Sequence, residues 1–377
     1  MNLDVEFPLD QSVIYLNHAA VAPWPKSTSE AVKQFADENC KTGAQNYLQW
    51  LKKERLLREQ LRILINAPSI DDIALVKNTS EALSFVAYGL DWQPGDNIVS
   101  SNEEFPSNRV VWESLANQGV ELRQANLASF SSPEEALFDL IDERTRLLTI
   151  SSVQFASGLR VDLNKIGRFC KNHGVLFCVD AIQTLGALEF DVQDCQADFV
   201  MADGHKWMLG PEGLGVFYSS PNARNQLKLT QFGWHMMENT FDYANKPWKE
   251  TETARRFECG SPNMLGIHAL SASLGLLLDQ GLETVQSEVL RRAAHLISRI
   301  KQNDMLELLS SDRLEQRSGI VVFKHKTVST EKLYSALMAK GVICAKRGGG
   351  IRFSPHFYTP IEKIDQALKI VISNDIE

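Results

Sequence analysis

Short apolar runs rich in β-branched residues recur at Ile73–Val76, Asn97–Ser100, Leu147–Val153, Val175–Val179, Asp198–Ala202 and Leu214–Tyr218. Stretches with helical spacing separate most of them, for example Ser80–Gly89, Asn108–Gln118 and Asp162–His173. Strands apolar on both faces, alternating with helices, predict a parallel or mostly parallel sheet covered on both sides. The pattern changes near residue 220. Residues 221–260 are polar and aromatic-rich and predict loops at a surface or interface. A long helical segment is predicted from Pro262 to about Asn303. It is followed by a strand (Gly319–His325), a helix (Thr330–Lys340), two short strands (Val342–Ala345 and Ile351–Ser354) and a helix from Pro360. That order is α+β. The chain is therefore expected to hold a large α/β domain over 15–260 and a smaller α+β domain over 261–377, with residues 1–14 packing on the small one.

Composition narrows the class. The 377 residues carry 39 Lys+Arg against 47 Asp+Glu, a formal net charge of −8. At about 150 residues per domain the length allows two or three domains. With 44% hydrophobic and 23% charged residues the chain is neither disordered nor collagenous nor a coiled coil. The acidic balance argues against a nucleic acid or an anionic membrane as partner. The cysteines, at 40, 170, 178, 195, 259 and 344, form no C-x-x-C pair and are expected to be reduced thiols of a cytoplasmic protein. The N-terminal stretch MNLDVEFPLDQS is acidic and broken by Pro8, unlike a signal peptide. Met264–Leu278 is too short and too polar to span a bilayer and predicts a buried helix. No H-x-x-x-H or Cys/His cluster occurs, so no metal site is expected.

In doubly wound sheets, ligands bind beyond the carboxyl ends of the strands. After Ile73–Val76 come Lys77, Asn78, Thr79, Ser80 and Glu81. Thr79 or Ser80 would cap the next helix, and its exposed N–H groups could also cradle a phosphate. Asp180 closes Val175–Val179 and reads either as the cap of a helix starting at Ala181 or as an acid at the mouth of a site. After Asp198–Ala202 come Asp203, Gly204, His205, Lys206 and Trp207. A lysine amid apolar residues and glycines needs a partner or a chemical role. A desolvated amine with a lowered pKa can form a Schiff base, and glycines let backbone approach a flat ligand.

The segment Asp198–Tyr218, DFVMADGHKWMLGPEGLGVFY, resembles the cofactor-lysine segment of class V, fold-type I enzymes that use pyridoxal 5′-phosphate (PLP). Cysteine desulfurases, kynureninase and isopenicillin-N-epimerase-like proteins belong to that group. Further matches follow in the same chain order: Tyr15–Pro23 (YLNHAAVAP), Asn78–Leu83 (NTSEAL), Glu104–Asn108 (EFPSN), Val179–Gln183 (VDAIQ), Cys259–Asn263 (CGSPN) and Ile351–Tyr358 (IRFSPHFY). The resemblance covers nearly the whole chain.

It implies the fold-type I architecture: a large domain with a mostly parallel sheet between helices, plus a small α+β C-terminal domain. It implies that Lys206 is the Schiff-base lysine and proton shuttle, and that Asp180 pairs with the pyridinium nitrogen of PLP. Gln183 would lie near the ring's phenolic oxygen, with Gln154 on the same side. Thr79, Ser80 and His205 would hold the phosphate. Phe105 would stack on the ring. Ser261 would reach the phosphate of a neighbouring subunit, which implies a homodimer with shared sites. Arg352 would grip the substrate α-carboxylate, with Arg347 as a second candidate. His18 and His356 flank recognised motifs and are expected to line the substrate pocket.

Departures narrow the activity. Phe105 stands where desulfurases carry a histidine, and it cannot move a proton. Asp203 stands where they carry a phosphate-binding serine. Only Gly348, Gly349, Gly350 and Ile351 separate Arg347 from Arg352, where desulfurases have a longer loop carrying the nucleophilic cysteine. Cys344 reads as core packing. The glycine triplet reads as a backbone wall against the substrate or as a tight hairpin turn. The leading expectation is a PLP-dependent aminotransferase acting on an amino acid. The alternatives are an epimerase or racemase, a desulfurase-like or kynureninase-like lyase, and a PLP-binding scaffold without catalysis.

Overall fold

The computed structural model describes residues 2–373 apart from 243, 245 and 246. Its main sheet has seven strands: β1 (Ile73–Val76), β2 (Asn97–Ser101), β3 (Glu121–Ala125), β4 (Thr145–Ser151), β5 (Leu176–Asp180), β6 (Phe199–Asp203) and β7 (Gly215–Ser219). The spatial order is β1-β7-β6-β5-β4-β2-β3. β7 runs antiparallel to both β1 and β6, and the other pairs are parallel. β1, β2, β6 and β7 are buried at every residue, as strands covered on both faces must be. β3 is absent from the predicted strands. It is an edge strand whose sequence, ELRQA, stays exposed or half-buried until its last residue, so no apolar run marks it.

The large layer carries α1 (Lys26–Thr42), α2 (Tyr47–Leu64), α3 (Thr79–Gly89) and α4 (Leu163–His173). α4 starts where its cap predicts: the Asp162 side chain accepts the Lys165 N–H at 2.9 Å, and Gly174 ends it in the left-handed region. The predicted long helix from Pro262 is two helices, α5 (Met264–Gln280) and α6 (Leu282–Lys301), set at 85° across Gly281, whose φ is +86°. α5 packs against α1 and α2, so the element just beyond residue 261 lies on the large layer, whereas α6 packs on the small sheet. Among the described residues no single helix is long and apolar enough to cross a membrane.

The small sheet is antiparallel, in the order β10-β11-β9-β8, from β8 (Leu306–Leu308), β9 (Val321–His325), β10 (Ala345–Arg347) and β11 (Gly350–Phe353). α7 (Thr330–Ala339) and α8 (Ile361–Val371) complete its core. The predicted strand Val342–Ala345 is divided. Val342–Ile343 pairs in parallel with Ile14–Tyr15, and β10 begins at Ala345. Phe7 stacks on Tyr358 and both belong to the large core, so the start of the chain packs on the large layer, and of the expected segment 1–14 Ile14 joins the small-domain core. β11 then points Arg352 at the loop after β4, where it donates to the Phe155 carbonyl at 2.7 Å. That contact brings the small sheet to the carboxyl ends of the large one.

Candidate active site

Parallel strands β4, β5 and β6 end side by side, with Ser151 opposite Asp180 and Asp180 opposite Met201. Their carboxyl ends, the start of α3 and the β10–β11 hairpin enclose a cavity of about 260 Å³. Thr79, Ser80, Phe105, Asp180, Gln183, His205, Lys206, Arg347 and Arg352 all line it. A larger groove of about 840 Å³ elsewhere gathers Glu134, Arg160, Asp162 and Asp191 but no buried lysine.

Asn78, not Thr79 or Ser80, is the N-cap of α3: its side chain accepts the Glu81 N–H at 2.9 Å. Thr79 and Ser80 therefore lead the helix with their hydroxyls free of the capping role, beside its positive dipole end. Thr79 Oγ1 is buried without a partner among the described residues, and Ser80 Oγ donates to Ser107 Oγ at 2.9 Å.

No helix follows Asp180; residues 181–184 form a turn in which the Ile182 N–H donates to Asp180 Oδ1 at 3.1 Å. The carboxyl is almost fully buried, and burial raises its pKa, with Glu104 adding to the rise and Lys206 opposing it. A carboxyl in that condition gains from a cationic partner. Burial lowers the pKa of the Lys206 amine, Asp180 pulls it back up and Arg352 lowers it further. The Lys206 Nζ lies 5.5 Å from the centroid of the Phe105 ring.

His205 Nδ1 lies 3.1 Å from Asp203 Oδ1 but out of line for a hydrogen bond, and both atoms are otherwise unpartnered among the described residues. Asp203 thus faces the histidine. Gln183 donates to the Ala19 carbonyl at 3.0 Å and accepts the Trp207 indole N–H at 2.9 Å. Its second amide hydrogen is left for a ligand. Arg352 is buried, donates from Nη1 to Phe155 and leaves Nε unpartnered. Burial, then Arg347, brings its pKa down to about 10.

Four expected residues do not line this cavity. Gln154 is fully buried behind it and donates to Glu104 Oε1 at 2.8 Å. Glu104 also accepts from the Ser151 N–H and hydroxyl and from Asn108, so Gln154 belongs to a network under the Phe105 loop. His18 is fully buried too, with Nδ1 on the Ser354 carbonyl at 2.9 Å and Nε2 on the Tyr358 hydroxyl at 2.7 Å. Both ring nitrogens are occupied, which leaves none for a substrate. His356 is likewise buried, with Nε2 3.0 Å from the Trp207 carbonyl oxygen. Ser261 is exposed and lines a neighbouring cavity with Lys77 and Cys259. Ser107 and Phe155 also line the site; Ser107 lies inside the EFPSN segment, and no motif spacing marks Phe155. Glu54, His235 and Glu258 also bring ligand atoms within 4.8 Å of one another, but the Arg58 guanidinium already bonds both glutamates at 2.6 Å. That arrangement is a buried ion-pair cluster.

The orphaned Thr79 hydroxyl, the His205 imidazole lining the cavity, the buried Asp180 carboxyl and the desolvated Lys206 amine fit a phosphorylated pyridine aldehyde held along one cavity wall. Fold and site together are those of a PLP-dependent enzyme. The family model described as aminotransferase class-V matches residues 14–366, and the chain belongs to that family. It is 30% identical to a probable cysteine desulfurase of Methanothermobacter thermautotrophicus, over 95% of this chain and 94% of that protein. It is 32% identical to a cysteine desulfurase of Pectobacterium carotovorum, over 84% of this chain and 80% of that protein. Its fold superposes with a TM-score of 0.90 on the cystine C–S lyase C-DES in complex with cysteine persulfide, at 22% identity, covering 97% of this chain and 99% of that one.

Proposed function

We propose that the chain is an aminotransferase that works as a homodimer on an amino acid with a free α-carboxylate. The observation that carries this reading is the β10–β11 hairpin. It turns through Gly348 and Gly349 and brings no thiol to the cavity among the described residues. Cys344 is packed in the small-domain core, where burial pushes its thiol up to about 12. Phe105, beside Lys206, has no proton to give a leaving sulfur.

PLP, when bound, supplies an electron sink for charge that develops at the substrate α-carbon. The chain's own groups do the rest. Arg352 binds the α-carboxylate and orients the amino acid. Lys206 Nζ takes and returns the α-proton, a task suited to an amine whose pKa burial has lowered toward neutrality. The Asp180 carboxylate holds the proton on the ring nitrogen. Thr79, Ser80 and His205 anchor the phosphate. The exposed Ser261 faces outward next to Lys77, where a second copy of the chain would complete its own site.

A second reading, C–S bond cleavage, is favoured by the desulfurases among the relatives. Incubating the PLP-loaded protein with single amino acids and a 2-oxo acid acceptor separates the two. Transamination gives one new 2-oxo acid for each acceptor aminated, and Lys206→Ala abolishes it. Release of sulfide or persulfide from cysteine or cystine, with no acceptor aminated, would replace the first reading by the second.

A further inference from the structure

The β10–β11 register sets Ala345 opposite Arg352 and Arg347 opposite Gly350. Residues opposite one another in an antiparallel pair share a face, and so do residues two apart on one strand. Arg347 and Arg352 are therefore diagonal neighbours on one face of the hairpin, at roughly 7–8 Å by the usual geometry. That face is the one lining the cavity.

The two guanidinium groups are placed differently. Arg352 is buried, with Nε unpartnered. Arg347 stands nearer solvent and its hydrogen bond goes to the Lys346 carbonyl, with no acid paired to it among the described residues. Lys346, next to it on the opposite face, is paired with Glu331 at 3.0 Å. The hairpin thus neutralises the cation that points away from the cavity and leaves bare the two that point into it. The acids of the cavity, Asp180 and Asp203, stand near Lys206 and His205. An amino acid with an apolar side chain offers one carboxylate to two arginines. The Phe105 and Phe155 rings, 5.1 Å apart edge to face, line the same cavity as the arginines and the lysine and offer apolar surface to a short run of methylene groups.

We propose that the substrate is an acidic amino acid whose α-carboxylate is held by Arg352 and whose side-chain anion is held by Arg347. This rests on the aminotransferase reading above and adds the substrate class to it.

The test uses PLP-loaded protein with 2-methylaspartate and 2-aminoisobutyrate, which lack the α-hydrogen and so cannot be turned over by α-proton abstraction. The shift in cofactor absorbance on titration gives the two affinities. The diacid is expected to bind at least about tenfold tighter than the monoacid, the increment of one charge-assisted hydrogen-bonded pair. Arg347→Ala should bring the ratio close to one, Arg347→Lys should restore part of it, and Arg352→Lys should weaken both ligands. Equal affinities in the wild type, or a preference that survives Arg347→Ala, overturn the proposal while leaving the PLP reading intact. Protein that takes up no PLP at all overturns both, and is recognised by the absence of cofactor absorbance before any ligand is added.

Discussion

Lys206 Nζ sits 5.5 Å from the centroid of the Phe105 ring, and that ring is braced edge-on by Phe155 at 5.1 Å. The aromatic face therefore lies on the same side of the cavity as the lysine that would carry the cofactor. Phe105 can support a flat ring by contact, and it offers no proton.

Phe105→Ala removes that support. Aromatic contacts contribute about 0.5–1.5 kcal/mol beyond area burial, so PLP affinity is expected to fall about threefold to tenfold. Cofactor absorbance retained after dialysis against graded PLP concentrations measures it. Unchanged retention means that the ring does not touch the cofactor. Phe105→His should keep the affinity, since it restores a flat ring.

Gly348 holds the arginine hairpin in place. Its φ is +57°, and a Cβ there would lie 2.5 Å from the Ala156 carbonyl oxygen. Gly348→Ala must push the hairpin away from that loop, displacing Arg347 and Arg352 together, and is expected to raise KM at least about tenfold. Gly349→Ala is the control. Its φ is +78°, but nothing lies within 4 Å of the added carbon, so it carries backbone strain alone, about 1 kcal/mol of stability with a smaller effect on KM. Equal KM changes in the two variants would show that the clash with Ala156 is not what sets the arginines.

Much of this site was legible in the sequence because its residues directly follow buried strands. Asp180 and Lys206 come after apolar runs that end at the same sheet edge, and Thr79–Ser80 after a third. Gln154 and His18 were misplaced for one physical reason: nearness to a motif does not fix side-chain direction. Gln154 turns under the Phe105 loop to satisfy Glu104, and His18 turns inward to bridge Ser354 and Tyr358. The break at Gly281 was hidden because the apolar spacing continues from α5 into α6, while the packing partners change. The edge strand β3 was hidden because pairing to β2, not burial, defines it.

Burial of His18 gives stability a pH dependence. Burial pulls its pKa from 6.5 to about 4, opposed by the bond to the Ser354 carbonyl. The folded state therefore resists protonation that the unfolded chain accepts. The stabilisation is complete above pH 6.5 and is lost as pH falls from 6.5 toward 4, by about 3 kcal/mol at most. His356, whose pKa is also lowered by burial, acts in the same direction. Urea midpoints at pH 7.5, 6 and 5 should fall steeply in the wild type and less steeply in His18→Gln. Parallel curves would assign the loss to other groups.

A buried ion-pair cluster lies away from the cavity. Arg58 of α2 binds Glu54 at 2.6 Å, both oxygens of Glu258 at 2.6 and 2.8 Å, and the Ile73 carbonyl at 2.9 Å. Glu258 also accepts the Leu75 N–H at 2.8 Å. One guanidinium thus ties α2, strand β1 and the end of the 221–260 segment, all buried. Arg58→Ala leaves two carboxylates facing each other without a cation, and breaking a buried pair in this way costs about 3–5 kcal/mol. Arg58→Met with Glu54→Leu and Glu258→Met removes the charges together and should recover most of that cost. Denaturant unfolding measures both, with PLP binding by the folded fraction expected to persist because the cluster does not line the cavity. If Arg58→Ala unfolds at the wild-type midpoint, the guanidinium is not what holds the segment to the sheet.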